Sequence, residues 1–255
     1  MPNNRIIDRE IDAQKNFVQR MKREIFGIDK SVRSSYIRSF NAEFGSFREV
    51  CPIEDVLSRA AGSDIVYFGD YHPLRESQDW LLRLMTELAG RGRKLVLALE
   101  MLYVRQQELL DRWMKGAMSE GEFLESIDYT SEWGFDWESY RRIFERARDP
   151  FVPIFGIDSE PRDHLKYIRK RDRMMARRIS NMRRFFPGYL ILVMIGESHL
   201  ASRHLPAEVR KVCGDGLVDT VIVQNMDGIY WNLLREGKEH VEAVRVDEGK
   251  FCIFN

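Results

Sequence analysis

Two apolar runs in this chain end in the same short motif, a glycine followed by an acidic residue, any residue and a histidine. Asp64–Phe68 leads into Gly69–His72, and Tyr189–Ile195 leads into Gly196–His199. Short runs of this kind are typical of strands buried on both faces of a sheet. We interpret each glycine as the residue that permits a sharp turn where its strand ends. Because ligands bind at the carboxyl ends of strands in open α/β sheets, the motifs predict one pocket with two histidines and two carboxylates.

The rest of the chain alternates between further apolar runs and amphipathic segments. Predicted strands are Lys94–Glu100, Val152–Ile157, Val218–Gln224, Ile229–Leu234 and Val241–Val246, with a turn at Asp227-Gly228. Predicted helices are Arg75–Ala89, Val104–Met114, Trp137–Arg148, a long charged helix Arg162–Phe185 and a short one from Pro206, with a capping box at Ser119–Glu122. This alternation predicts an α/β fold, with a mainly parallel sheet, helices on both faces and a possible antiparallel edge near the C-terminus.

The chain has no tandem repeat, low-complexity tract or Pro/Gly/Ser-rich linker, so we treat residues 1–255 as a single domain. Residues 1–55 are predicted to be an N-terminal helical extension, and residues 60–205 to be the core. The apolar positions of Ile6–Ile28 follow roughly helical spacing, which predicts an N-terminal helix that lies on the core or contacts a partner. A second copy of the chain, in a homodimer, is one such partner.

Composition excludes several classes of function. Lys and Arg total 40 and Asp and Glu total 40, so the formal net charge is zero, which argues against a nucleic-acid surface. The chain shows no signal peptide, lipoprotein signal or run long enough to span a bilayer. Three widely spaced cysteines form neither a disulfide framework nor a zinc-finger pattern. We therefore expect a cytoplasmic protein, and interpret Phe251–Phe254 as an unfinished strand or a sheet edge.

Polar side chains follow four of the predicted core strands. They are Asp70 and His72 after the first strand, Glu100 after the second, Asp158 after the third, and Glu197 and His199 after the fourth. In a parallel sheet these side chains meet at one edge. Such a cluster can bind a divalent metal through His72, Glu100 and His199. It can also perform acid–base chemistry with His72, Glu100, Glu197 and His199 as catalytic groups, or form a polar floor for a bound ligand.

Each of these residues also has a simpler interpretation. Glu100 follows a wholly apolar run, and a carboxylate buried there needs a partner or a site. Asp158 could instead cap the next helix, and Asp70 could bind the amides of its own loop. Arg75 and Arg162 lie just past strand ends, where they could bind an anionic ligand group or form salt bridges on a helix surface.

Several common kinds of active site are absent from the sequence. No Gly-x-Ser-x-Gly elbow is present, and Cys51 and Cys213 have no histidine near them in sequence, so a serine or cysteine nucleophile has little support. Neither a phosphate-binding loop of the Gly-x-x-x-x-Gly-Lys type nor a Gly-x-Gly-x-x-Gly motif occurs, which argues against nucleotide and dinucleotide binding.

The chain resembles the ChaN-like branch of the superfamily that also contains the Tiki/TraB proteins and the erythromycin esterases. The resemblance runs from about residue 60 to residue 205. It is carried by Gly69–His72, Gln78, Leu97–Met101, Gln106–Asp111, Trp133–Trp137 with Tyr140, Pro153–Asp158, Arg171–Ala176 and Gly196–His199. One departure stands out, because Asp70 occupies a position where these families usually have glutamate.

The resemblance implies an α/β fold and a pocket at the strand ends. ChaN members are described as haem-binding proteins of iron uptake, Tiki members as metal-dependent proteases, and the esterases as enzymes with a histidine base. We therefore expect a small-molecule-binding protein whose cofactor is haem or a divalent metal ion. The ligand would contact Asp70, Arg75, Asp158, Arg162, Asp172, Trp133 and Tyr140, with Phe135 and Trp137 also lining a haem slot. A tyrosine, histidine or methionine would be the axial ligand of a haem. The alternative is a hydrolase of the esterase or peptidase type that uses both Gly-x-x-His motifs.

Overall fold

The fold is built on one eight-stranded mixed sheet. The computed structural model describes residues 9–17, 20, 35–148, 151–160, 162, 167–214, 216–238 and 240–254. The strands are β1 Glu49–Cys51, β2 Ile65–Asp70, β3 Leu95–Tyr103, β4 Ile154–Asp158, β5 Leu190–Gly196, β6 Asp219–Gln224, β7 Ala243–Asp247 and β8 Lys250–Ile253. Their order is β1-β7-β8-β6-β2-β5-β3-β4. Neighbours from β8 to β4 pair in parallel, whereas β1 with β7 and β7 with β8 are antiparallel. The predicted parallel sheet with an antiparallel edge is confirmed.

Helices cover both faces of this sheet, as predicted. They are α1 Ser35–Glu43, α2 Ile53–Ala61, α3 Arg75–Gly90, α4 Gln107–Met114, α5 Glu120–Ser126, α6 Tyr129–Glu132, α7 Trp137–Arg148, α8 Ile168–Phe185, α9 Leu205–Cys213 and α10 Asp227–Arg235. One apolar layer lies under α2 to α7, and the other lies under α1, α8, α9 and α10. The sheet between the two layers holds the site residues at the carboxyl ends of its strands.

The central strands are apolar because both of their faces are covered. Every residue of β2 and β3 is buried. Side chains alternate between the two layers, as the pleat of a strand requires. Val66 and Phe68 belong to one layer, and Ile65 and Tyr67 to the other. The parallel register of β2 and β5 sets Asp70 beside Gly196, so the two motifs end at the same level of the sheet.

One predicted strand is wrong. Ile229–Leu234 lies within α10, and Asp227-Gly228 begins this helix instead of forming a hairpin turn. Ile229 and Leu233 are both buried in the layer under α10, at the i, i+4 spacing of one helical face. Gly228 packs against backbone, since a Cβ there would lie 2.9 Å from the carbonyl oxygen of Gly45. The glycine therefore reflects a close approach between two chain segments.

The ends of the chain differ from the expectations in part. Phe251–Phe254 is not an edge, because β8 pairs with β7 on one side and with β6 on the other. Residues 9–17 and 20 are helical, and the remainder of the predicted Ile6–Ile28 helix lies outside the described residues. The long charged helix begins at Ile168. In the part of the chain that the structure describes, no helix is both long enough and apolar enough to cross a bilayer.

Candidate acid–base site

The glycines of the two motifs make room for each other's side chains. A Cβ on Gly69 would lie 2.8 Å from Cγ of Glu197, and a Cβ on Gly196 would lie 3.3 Å from both Nε2 of His72 and Oε2 of Glu100. Neither glycine has a positive φ, and Gly196 has a φ of −54°. The interpretation of these glycines as sharp turns is therefore wrong. They are required because the two motifs pack in contact on adjacent strands.

The first half of the site is centred on the buried carboxylate of Asp70. Its Oδ2 lies 2.7 Å from Nδ1 of His72 and accepts a hydrogen bond of 2.6 Å from the Tyr140 hydroxyl. Its Oδ1 accepts bonds of 2.7 Å from Gln78 Nε2 and 3.2 Å from Ser77 Oγ. A carboxylate with these partners fixes the imidazole, because Nδ1–H donates to Asp70 and Nε2 is left to react.

Aromatic rings flank the His72 imidazole. Its centroid lies 4.5 Å from that of Trp133 and 4.9 Å from that of Phe135, and 23 % of the side-chain surface is exposed. Burial by itself lowers the pKa of His72, but the hydrogen bond and the charge of Asp70 outweigh it, so the pKa is raised above its ordinary value. Burial and the charge of Asp70 also raise the pKa of Tyr140, which keeps that hydroxyl a donor.

The second half of the site is centred on Glu100. Its Oε2 accepts a bond of 2.6 Å from the Gly196 backbone N–H, and its Oε1 accepts one of 2.5 Å from Arg171. Nε2 of His199 lies 3.3 Å from the same Oε1, while Nδ1 of His199 lies 2.5 Å from Oδ1 of Asp172. His199 thus bridges two carboxylates, an arrangement that favours the imidazolium, in which both nitrogens donate.

These contacts set opposite charges on Glu100 and His199. Burial raises the pKa of Glu100, but His199 and Arg171 outweigh it and hold that pKa well below its ordinary range. Burial lowers the pKa of His199, but Glu100 and Asp172 outweigh it and raise that pKa to about 9. Glu100 is therefore ionised and His199 protonated at neutral pH.

Neighbouring side chains connect Glu100 and His199 to the rest of the fold. Arg171 makes two bonds of 2.8 Å to Asp158, which also accepts one of 2.8 Å from Nε of Arg162. Asp158 is therefore held by two guanidinium groups and does not cap a helix. On the other side, the hydroxyl of Tyr36 from α1 donates to Asp172. Tyr36 also stacks on His204, with ring centroids 3.4 Å apart.

Glu197 faces a cleft next to the two halves. This cleft has a volume of about 520 Å³, and its apolar walls include Phe40, Phe44, Tyr71, Leu74 and Met226. Oε1 of Glu197 accepts a bond of 2.9 Å from the Gln224 backbone N–H. Burial raises the pKa of Glu197 to about 7. This carboxyl group therefore changes protonation close to neutral pH.

A known protein family matches the central residues of the chain. Residues 56–171 match the family described as haem-binding uptake, Tiki superfamily, ChaN. The chain carries a ChaN-like domain. No match to it was found among curated proteins. The matched stretch includes Asp70, His72, Glu100 and Arg171, whereas Glu197 and His199 lie beyond its end.

Solved structures share the fold of this ChaN-like chain at low sequence identity. The structure titled for cofacial haem binding to ChaN of Campylobacter jejuni is 14 % identical, with a TM-score of 0.51 over 69 % of this chain and 86 % of that one. The type III effector HopBA1 is 13 % identical, with a TM-score of 0.51 over 81 % and 96 %. The C-terminal region of Pasteurella multocida toxin is 17 % identical, with a TM-score of 0.52 over 77 % of this chain and 28 % of the toxin chain.

The predicted metal ligands of this ChaN-like domain are engaged with other groups. Both nitrogens of His199 face carboxylates, and both oxygens of Glu100 accept hydrogen bonds. His72 binds Asp70 through Nδ1. Across the described residues, no group of three or more His, Cys, Asp or Glu side chains is arranged to hold a metal ion. The structure thus places the three residues in one cluster but not as a chelating group.

The aromatic residues predicted to line a haem slot do not form one. The space bounded by His72, Glu100, Trp133 and Tyr140 measures about 160 Å³ and is too narrow to admit a water molecule. Trp137 does not line this space and packs against Trp113 and Phe144, with ring centroids 5.6 Å away in both cases. A haem therefore does not fit between these rings.

The remaining predicted residues divide into two groups. The cluster around the two histidines contains Asp70, Asp172, Trp133 and Tyr140. Arg75, in contrast, is exposed at the start of α3. Arg162 binds Asp158 and donates a bond of 2.8 Å to the backbone oxygen of Glu100. Its guanidinium therefore supports the fold around the site instead of facing a ligand.

Sequence reasoning missed two contributors, Tyr36 and Arg171. Arg171 did carry a signal, because it lies in the buried stripe of α8 with Ile168 and Met175. A cation at such a position needs buried anionic partners. Tyr36 carried none, because it lies in α1, far from both motifs in sequence.

The pKa of His199 predicts how stability depends on pH. Its folded pKa of about 9 is above the ordinary value of 6.5, so its contribution to stability is complete below pH 6.5 and is lost as pH rises through 9. We expect the free energy of unfolding to fall across this window, and an NMR titration of His199 to have its midpoint near pH 9. In a His199→Gln variant, the fall across the window should be smaller. A midpoint near 6.5, or an equal fall in the variant, would contradict this.

Proposed function

We propose that this ChaN-like domain is a hydrolase of the esterase or peptidase type, with His72 as its general base. One observation carries this proposal. Nδ1 of His72 is fixed on Asp70, while its Nε2 is directed at the gap beside Gly196 and Glu100. A second histidine, His199, contacts Glu100 and is protonated at neutral pH. A general base beside a fixed positive charge suits hydrolysis of an acyl compound, in which water loses a proton and an oxygen gains negative charge.

His72 would accept the proton of the attacking water. Asp70 holds its ring and stabilises the imidazolium that forms, as an orienting carboxylate does in other histidine-based sites. Three further donors to Asp70, from Tyr140, Gln78 and Ser77, hold this carboxylate in place. The space between His72 and Glu100 is too narrow for water, so water and substrate would approach His72 from the exposed 23 % of its side chain.

His199 and Glu197 would handle the charge that develops on the substrate. Both nitrogens of His199 are engaged by Asp172 and Glu100, so its contribution would be the fixed positive charge that it carries at neutral pH, close to an oxygen that becomes negative. Glu197, with a pKa of about 7, can give a proton to the leaving group. Its cleft of about 520 Å³ has the size of a small-molecule site, which spans roughly 300–1,000 Å³.

A second candidate function is haem binding, and the family match favours it. Since the aromatic slot is closed, the residue best placed for a haem is Tyr71. Its side chain is 44 % exposed and lines the open cleft, and tyrosinate is an axial ligand in some haem proteins. A bound haem would supply a redox-active iron, which the side chains of this site cannot provide.

One set of measurements on a single preparation separates the two functions. Purified protein is assayed against a panel of aryl esters and short peptides over pH 5–10, and is then titrated with haem by absorbance, with its metal content measured beforehand. We expect saturable hydrolysis and no saturable Soret shift. A stoichiometric Soret shift without turnover of any panel member would overturn the hydrolase proposal and favour haem binding at Tyr71.

A further inference from the structure

A hollow opens at the amino ends of the strands, on the sheet edge opposite the candidate site. Its volume is about 370 Å³. Its apolar lining includes Leu95 at the start of β3, Val152 ahead of β4, Tyr189 ahead of β5 and Met85 of α3. No part of the acid–base site lies here, because that site occupies the carboxyl ends of the same strands. The acid–base site therefore does not account for this hollow.

The charged residues that line this hollow are all basic. Arg93, Lys94 and Arg146 contribute to its wall, and none of its described lining residues is acidic. The Lys94 ammonium lies 5.7 Å from the centre of the Tyr189 ring, and Arg93 donates a bond of 3.0 Å to the backbone oxygen of Ser63. In a chain of zero net charge, three cations around one apolar hollow are a local excess.

An exposed aromatic ring forms part of this lining. Phe151 lines the hollow with 77 % of its surface exposed. Tyr189, which also lines the hollow, packs against Phe186 with ring centroids 5.5 Å apart. Large apolar side chains beside cations are typical of surfaces that bind both the chain and the head group of a lipid-like molecule.

We infer that this hollow binds an anionic amphiphile, with an apolar chain in the hollow and a carboxylate or phosphate against Arg93 and Lys94. A simple anion would leave the apolar lining in water, and a neutral lipid would bring no negative charge to Arg93 and Lys94. Both parts of the ligand are therefore needed. The same chemistry is offered by a free fatty acid and by an acidic phospholipid in a bilayer.

The test uses probes with ten-carbon chains and different head groups. Decanoate, decyl phosphate and the neutral decanol are titrated into the full chain by calorimetry. We expect one anionic molecule to bind per chain, at least about tenfold more tightly than decanol, since hydrogen bonds between charged groups are stronger than those of a neutral hydroxyl. Sedimentation with phosphatidylglycerol or phosphatidylcholine vesicles separates the two sources. Binding to the anionic vesicles without binding of the free probes assigns the bilayer lipid, and the reverse assigns the free amphiphile.

Matched double variants locate the binding site. Arg93→Gln with Lys94→Gln should weaken binding of the anion by about tenfold or more. Arg169→Gln with Lys170→Gln, which removes the same charges from the exposed start of α8, should leave it unchanged. Phe151→Ser should weaken the binding of decanoate without altering the fold, because the Phe151 ring is largely exposed. Equal affinity for decanol and decanoate, equal effects of the two double variants, or no binding to either the free probes or the anionic vesicles would overturn the inference.

Discussion

Replacing His72 by alanine is expected to lower kcat/KM for hydrolysis about 100- to 10,000-fold, the usual contribution of a general base. Nε2 of this ring is the basic nitrogen directed at the gap beside Gly196 and Glu100, while Nδ1 is fixed on Asp70. His199 cannot replace it, because its nitrogens face Asp172 and Glu100 and its raised pKa keeps it protonated at neutral pH. The measurement is kcat/KM of both proteins, across pH, on the best substrate of the panel.

The control for this experiment is His240→Ala. His240 is exposed, so the substitution removes an imidazole without touching the site. Circular dichroism and thermal unfolding of both variants show whether the fold is retained. A His72→Ala protein that folds and keeps more than about a tenth of the wild-type kcat/KM would show that His72 is not the base. If the protein instead binds haem at Tyr71, this substitution should leave the haem affinity unchanged, which keeps the two functions distinguishable.

Replacing Arg171 by methionine is expected to lower the free energy of unfolding by about 3–5 kcal/mol, the range for removing one partner of a buried ion pair. Arg171 is the shared counterion of Glu100 and Asp158, which are 5 % and 0 % exposed. Methionine fills much of the same volume, so lost packing contributes little. The measurement is urea unfolding at neutral pH, and the loss should shrink in acid, where the stranded carboxyl groups can take up protons.

Arg173→Met is the matched control, because Arg173 lies two residues further along α8 with its side chain exposed. We expect that change to stay within about 0.5 kcal/mol of the wild type, as surface substitutions usually do. If Arg171→Met and Arg173→Met lost equal stability, the hydrogen bonds from Arg162, Gly196 and His199 would be sufficient to hold the two carboxylates.

The core of the fold was predictable because its strands are buried on both faces. β2, β3 and β5 consist almost wholly of apolar residues, and this pattern requires helices on either side of a sheet. The sequences of the shorter elements do not require one type of secondary structure. Ile229–Leu234 could have been strand or helix by its apolar content, and only packing against the layer under α10 decides for helix. Among the described residues, the three-residue β1 pairs with β7 alone, and its sequence shows no pattern.

The site was predictable as a location but not as a network. Parallel strands bring His72, Glu100 and His199 to one edge, as their positions after apolar runs predict. The protonation states depend on partners from other elements, such as Arg171 of α8 and Tyr140 of α7. The role of the motif glycines also needed the structure, because sequence cannot show that two backbones must approach within reach of each other's side chains.

The pairing of the two motifs has a consequence for biosynthesis. Glu100 meets the Gly196 backbone 96 positions later, and Tyr36 meets Asp172 across 136 positions. A nascent chain therefore cannot assemble the site until β5 and the histidine after it have left the ribosome and entered the sheet. Contacts of such wide sequence separation form slowly. During refolding, activity should return only with the last phase that restores the sheet, so that incomplete chains are inert and every active molecule has a finished core.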